Sequence, residues 1–272
     1  MMGIGIFMKE LFEEYKTQKR LLGEALAEKD HMEIYESFSV KNEFILKLGE
    51  PRYKLHKLEM AIAKAKLKLD MLQTCINLKV PIDTEHIENQ LEKEFEKHNS
   101  TLRNMRKEIE FARNLSDEDY LKIQNMQELK ELYLSIASYI HPEVVAISDK
   151  NIKRVWKATK KAYEDGDVAK LKRLQKKVLE EYKDNLTNEN SHEADLENEV
   201  LSMKSKRELV VSEIESLRKQ FPFSESKVLE DEKAVTKFKN DIDVDIKIAS
   251  EVLEKLENQI LEKLPPLSRY LN

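Results

Sequence analysis

The sequence predicts an all-α fold, elongated, with antiparallel coiled-coil hairpins flanking a small helical module. Three observations predict it. The 272 residues include only 5 Gly and 6 Pro, so tight turns are few and the elements between them must be long. Charged residues make up 36% of the chain and both signs are interspersed, as on solvated helix surfaces. Apolar residues recur at alternating steps of three and four, the rhythm of a helix seam.

Taken in order, residues 7–48 carry a drifting helical stripe: Leu11, Tyr15, Leu22, Leu26, Ile34 and Tyr35. Gly49-Glu50-Pro51 is the first expected break, because proline lacks the amide hydrogen and biases its predecessor toward extended backbone. Residues 53–78 hold the cleanest seam: Leu55, Leu58, Ile62, Ala65, Leu69, Leu72 and Ile76. That helix should end near Val80-Pro81, and Asp83 or Thr84 can cap the next one. Ile87, Leu91, Phe95, His98, Leu102, Met105, Ile109 and Ala112 continue the rhythm through 84–114. The short break between these two helices predicts an antiparallel hairpin.

Ser116 with Asp119 three residues on is a capping signal that opens a central module. In it, Leu129, Leu132, Tyr133, Ile136, Ala137 and Ile140 form the inner face of one short helix. Ile152, Val155, Trp156, Thr159, Ala162 and Tyr163 form that of another. Between them His141-Pro142-Glu143 must turn the chain, since proline ends the preceding helix. The polar, Asn-rich stretch 183–194 reads as a linker. A second hairpin is expected after it. Leu196, Val200, Met203, Val210, Ile214, Leu217 and Phe221 form one arm, and the turn falls at Phe221-Pro222-Phe223-Ser224. Val235, Phe238, Ile242, Ile246, Ala249, Leu253, Leu256 and Ile260 form the other arm, stopped by Pro265-Pro266. The expected regions are 1–115, 116–182 and 183–272.

Composition and motifs narrow the function. The 47 basic and 52 acidic residues leave a net charge of −5, so a nucleic-acid partner is not expected. The basic run Lys157 to Lys161 reads as a solvated helix face. Cys75 is the single cysteine, which excludes an intrachain disulfide, and its apolar surroundings predict a buried, inert thiol. The apolar start MMGIGIFM is too short to span a membrane and lacks the features of a signal peptide. A cytoplasmic protein without membrane contact is expected, and the sequons at Asn99 and Asn185 are then coincidental. Asp241, Asp243 and Asp245 have the opening spacing of a calcium loop. Ile246 stands where such a loop needs glycine, and Val252 where it needs glutamate. No metal, phosphate-loop or nucleophile motif occurs, so neither an enzyme nor a cofactor is expected.

The central module resembles a known family. Tyr133-x-x-Ile136-Ala137-x-x-Ile140-His141-Pro142-Glu143 resembles the second helix and loop of J domains, the DnaJ-type co-chaperone module. That family's pattern is Tyr-x-x-Leu-Ala-x-x-Tyr-His-Pro-Asp. Trp156-x-x-Thr159-x-x-Ala162-Tyr163 resembles its third helix, and the likeness covers roughly 119–175. The stretch GDVAKLKRLQ further resembles a divergent bacterial branch in which a coiled coil precedes the module. The resemblance implies a DnaK-type chaperone as partner, with His141, Pro142 and Glu143 as the residues that contact it. The chain departs from the family at Glu143, at the inserted VVAISDKN, and at Leu134, Ser135, Ser138 and Tyr139, where the family's docking face carries Lys and Arg. No zinc-binding or Gly/Phe-rich region follows. Two functions therefore stay open. One is a divergent co-chaperone or adaptor. The other is a coiled-coil scaffold whose J-like module no longer couples to a chaperone, and whose seams bind another protein or a second copy.

Overall fold

A computed structural model describes residues 2–145, 150–182 and 193–264. It is all-α, and no strand occurs among the described residues. The helices are α1 (Met2–His31), α2 (Ser37–Phe44), α3 (Glu50–Leu78), α4 (Thr84–Arg113), α5 (Asp117–Gln124) and α6 (Met126–Ile140). They continue with α7 (Lys150–Glu164), α8 (Val168–Glu181), α9 (Glu193–Arg218), α10 (Ser226–Glu230) and α11 (Glu232–Lys263). They pack as two compact units, Met1–Lys41 with Leu115–Ser224 and Asn42–Asn114 with Glu225–Asn272. A unit boundary falls between Asn114 and Leu115, beside the one expected at 115, whereas none falls at 182, and each unit joins an N-terminal piece to a later one.

The expected break at Gly49-Glu50-Pro51 does not occur. Backbone helicity continues from Met2 to Leu78, with π turns at Met32–Glu36 and Ile45–Gly49. The second π turn ends where Pro51 enters the first turn of α3. A wider turn changes the carbonyl register there, and proline is tolerated in a first helical turn. Glu50, the residue before the proline, stays helical at φ −65° and ψ −49°.

In the second unit α3 and α4 form the predicted antiparallel hairpin. Lys79 closes α3 in the left-handed region at φ 53°, and the Asp83 carboxylate caps α4 by accepting from the His86 amide. The Arg113 guanidinium meets Glu50 at 3.0 Å at the other end. Leu72, Ile87, Leu91 and Phe95 are buried between the two helices together with Ile260 of α11 and Leu264, which follows it. His98 is a correction: it lies on the exposed side of α4 and rests against Phe95, not in the seam. Cys75 is half-buried, not enclosed.

The C-terminal hairpin is the larger correction. The stripe on α11 is as read, with Val235, Ile242, Ala249 and Ile260 buried, but it packs on α3. The Lys263 ammonium donates to the Gln73 side-chain oxygen and the Lys47 ammonium to the Leu229 carbonyl, so α11 runs parallel to α3. The stripe on α9 is as read from Leu196 to Leu217 and packs on α1, but Phe221, expected to end it, lies beyond the helix and is exposed. Leu196 and Val200 meet Leu11 and Tyr15, Val210 and Ile214 meet Leu22 and Leu26, and Lys29 pairs with Glu213 at 2.6 Å. A seam records which residues need burial, and either partner satisfies it. The turn residues 221–224 carry the chain from one pairing to the other. The expected linker lies outside the described residues except for Glu193 and Ala194, which open α9; Pro265-Pro266 lies outside them entirely.

In the first unit α6 crosses α1 in the antiparallel sense. A Cβ on Gly23 would stand 2.6 Å from the Ser138 Cα, so this crossing requires glycine. Two measurements test these packings. With Cys75 replaced by Ser, cysteines at Gln73 and Lys263 should be joined by a bismaleimide cross-linker about 10 Å long, because the native side chains meet end to end, too far apart at the backbone for a direct disulfide. A chain folded as the 196–260 hairpin would leave them unlinked. Gly23→Ala gains about 1 kcal/mol of helix propensity. It meets backbone and not a flexible side chain, so a net loss of about 2–3 kcal/mol is expected in urea unfolding.

Candidate functional site

The site begins with the end of α6. Leu129, Leu132, Tyr133, Ile136, Ala137 and Ile140 are all buried, as their spacing required. They meet Ile152, Val155, Thr159, Ala162 and Tyr163 of α7 and Leu171 and Val178 of α8. Thr159 is buried without cost because its hydroxyl donates to the Val155 carbonyl at 3.0 Å. At the head of α5 the capping signal forms, with the Ser116 hydroxyl donating to Asp119 at 2.7 Å.

His141 caps α6 and leaves it at φ −61° and ψ 135°, the extended backbone that a following proline favours. Its carbonyl accepts from the amides of Val144 and Val145 at 2.9 and 3.0 Å, which closes the turn. Its Nδ1 accepts from the Glu143 amide at 3.1 Å, so the neutral ring carries its proton on Nε2. The ring stands edge-on to Trp156, with centroids 4.7 Å apart. Only 8% of His141 is exposed, whereas Pro142 and Glu143 face solvent. Burial pushes the imidazole down to about 4; the Asp30 carboxylate opposes that shift and the Lys160 ammonium adds to it. At neutral pH the ring is uncharged.

From His141 a run of rings passes through the module. Trp156 packs on Tyr133 at 5.5 Å, and Tyr133 stacks on Tyr163 at 4.0 Å with an 11° tilt. Tyr35 meets Tyr163 edge-on at 4.9 Å, and His31 stacks on Tyr35 at 5.8 Å. The polar ends are satisfied. The Tyr133 hydroxyl donates to Asp30 at 2.7 Å, the Tyr35 hydroxyl donates to the Tyr163 carbonyl, and His31 Nδ1 pairs with the Tyr163 hydroxyl. Lys130 bridges Glu28 at 2.7 Å and Glu36 at 3.5 Å. Burial raises the Tyr35 hydroxyl to about 12 and pushes Tyr133 and Tyr163 higher still, so all three stay protonated. Burial, with Lys130 beside it, lowers His31 to about 4, against the pull of Glu28.

Asp30, His31 and Tyr35 were not among the expected site residues. The signal was present: His31 and Tyr35 are four residues apart on one helix face, and Tyr35 belongs to the predicted stripe. Their partners lie more than a hundred residues away, which no local pattern shows. The four positions matching the family's docking face are also placed. Ser138 is buried under Gly23, and Leu134, Ser135 and Tyr139 line an open groove of about 730 Å³ with residues of α1 and α9. Among the described residues no three His, Cys, Asp or Glu side chains converge as metal ligands.

The two buried imidazoles give a pH dependence. They titrate near 6.5 when unfolded and near 4 in the fold. Between these values the unfolded chain takes up protons that the folded chain refuses. Stability is therefore intact above pH 6.5 and declines as pH falls toward 4, by about 2 kcal/mol per pH unit near pH 5.5. The urea midpoint should fall from pH 7 to pH 5, and His31→Phe should remove about half of that slope. A midpoint that ignores pH would contradict the burial of these rings. Compared with known protein families, curated proteins and solved structures, the chain matches none, so the functional reading rests on this geometry.

Proposed function

We propose that this protein is a non-enzymatic helical scaffold in which the His141 turn locks a packing module and does not act as a chaperone trigger. One observation carries the reading. Of the four α6 positions that a J-type co-chaperone would offer its partner, Ser138 is buried under Gly23 of α1, and Leu134, Ser135 and Tyr139 are half-buried along a groove walled by α1 and α9. Those four positions carry no Lys or Arg, and nearby Lys130 is paired with Glu28 and Glu36, so electrostatic steering to an acidic chaperone is weak there. His141 points inward, held by the Glu143 amide and Trp156. Each unit also exposes apolar side chains suited to a protein partner or a second copy: Leu201 and Leu209 on α9, and Val244 and Ile248 on α11. Among the described residues no helix is long and apolar enough to cross a membrane. A cytoplasmic place, without cofactor, fits this reading.

The exposure of Pro142 and Glu143 favours a second reading, the divergent co-chaperone. Steady-state ATPase measurements with the DnaK-type chaperone of the same cell separate the two. The scaffold leaves the basal rate unchanged, and His141→Gln changes only its own stability. Stimulation by the wild type that His141→Gln abolishes would replace the scaffold by the co-chaperone.

A further inference from the structure

The whole-chain charge conceals a segregation that the fold makes visible. Residues 150–182 hold eleven Lys and Arg against five Asp and Glu, a net +6 in a chain of net −5. On α7 the exposed residues Lys150, Lys153, Arg154, Lys157, Lys160 and Lys161 occur with no acidic residue before Glu164. The ion pairs described on these two helices involve α8 alone, with Lys172 on Glu128, Lys176 on Glu180 and Lys177 on Glu181. The α7 cations form none among the described residues. Their steps of three and four place them on one side of the helix, in a stripe about 16 Å long at 1.5 Å per residue.

We propose that this face of α7 docks on the phosphate backbone of duplex DNA. The chemistry of the face selects the partner. Protein interfaces deplete lysine and anchor on exposed aromatic and apolar groups. Here Ile152, Val155, Ala162 and Tyr163 are buried and Trp156 turns in toward His141, so α7 offers no such anchor. For the same reason α7 has no free apolar face to sink into a bilayer and no exposed ring on which single-stranded bases could stack. A lysine stripe suits a regular row of phosphates. The major groove of B-form DNA, about 12 Å wide, admits a helix, whereas that of duplex RNA is too narrow. The acidic remainder of the chain is screened beyond about 8 Å at physiological salt, so the local face governs contact. The proposal is independent of the scaffold reading.

The test is fluorescence anisotropy of the full chain with a labelled mixed-sequence DNA duplex between 50 and 200 mM salt. Five or six neutralised phosphates predict that log K falls with log salt at a slope of about −5. The exposed triple variant Lys153→Gln, Lys157→Gln, Lys161→Gln should reduce that slope by about 2.7 and weaken binding at least about tenfold at 100 mM. Its urea midpoint should match the wild type. The same assay is run with duplex RNA, polyglutamate and vesicles containing phosphatidylserine. No DNA binding at 50 mM, an unchanged affinity in the triple variant, or equal binding to any of the three alternatives would overturn the proposal.

Discussion

The crossing of α1 over α6 at Gly23 and Ser138 is the constraint on which the first unit depends. Backbones this close need a position without a Cβ. Once they meet there, Ala27 lies against the α6 core and the side chains further along α1 reach the module. Asp30 then receives the Tyr133 hydroxyl, His31 pairs with the Tyr163 hydroxyl, and Tyr35 bonds the Tyr163 carbonyl. Without this helix those tyrosines would be large, half-covered rings with unsatisfied polar ends, and a buried hydroxyl left unpaired costs about 1–3 kcal/mol. α1 therefore completes the core that α6, α7 and α8 begin. The π turn at Met32–Glu36 follows directly after His31 and includes Tyr35, where the helix face must stay on the module.

The stripes were legible and their partners were not. Every predicted inner residue of the two short helices is buried or half-buried, and the α11 stripe from Val235 to Ile260 is buried or half-buried throughout. Burial is a property of one residue and its period, which a sequence displays. Partner choice is a comparison between surfaces of similar chemistry, which a sequence does not display. A short loop decided correctly for α3 and α4, because the chain has no room to do otherwise. The same rule failed for α9 and α11, because residues 219–231, including α10, separate them and leave each seam free to pack elsewhere, on α1 and α3. Pro51 misled for a related reason: it marks a break by its local chemistry, and it sits in a first helical turn behind a π turn.

At the His141 turn, motif and environment point in different directions. The His-Pro step specifies backbone: the proline sets the extended ψ of His141, and the histidine carbonyl then closes the turn. None of this requires the ring to be displayed. Burial against Trp156 holds it uncharged at neutral pH, and the Glu143 amide occupies Nδ1. A ring so held contributes shape and one hydrogen bond. The turn geometry that resembles a known trigger is thus also a geometry that packing alone accounts for.

Charge carries the same lesson as the seams, because an average over the chain says little about a surface. The −5 total arises from a +6 stretch within a remainder of −11. Were the cations of α7 mixed with acids at the next turn, as on α8, they would pair along the helix and present no net field. They are not mixed, so six cations remain within about 16 Å of helix. Their mutual repulsion is a standing cost that solvent screens only in part. That cost is relieved by an anion row of comparable pitch, and this supports reading the stripe as a binding face and not as ordinary solvated surface.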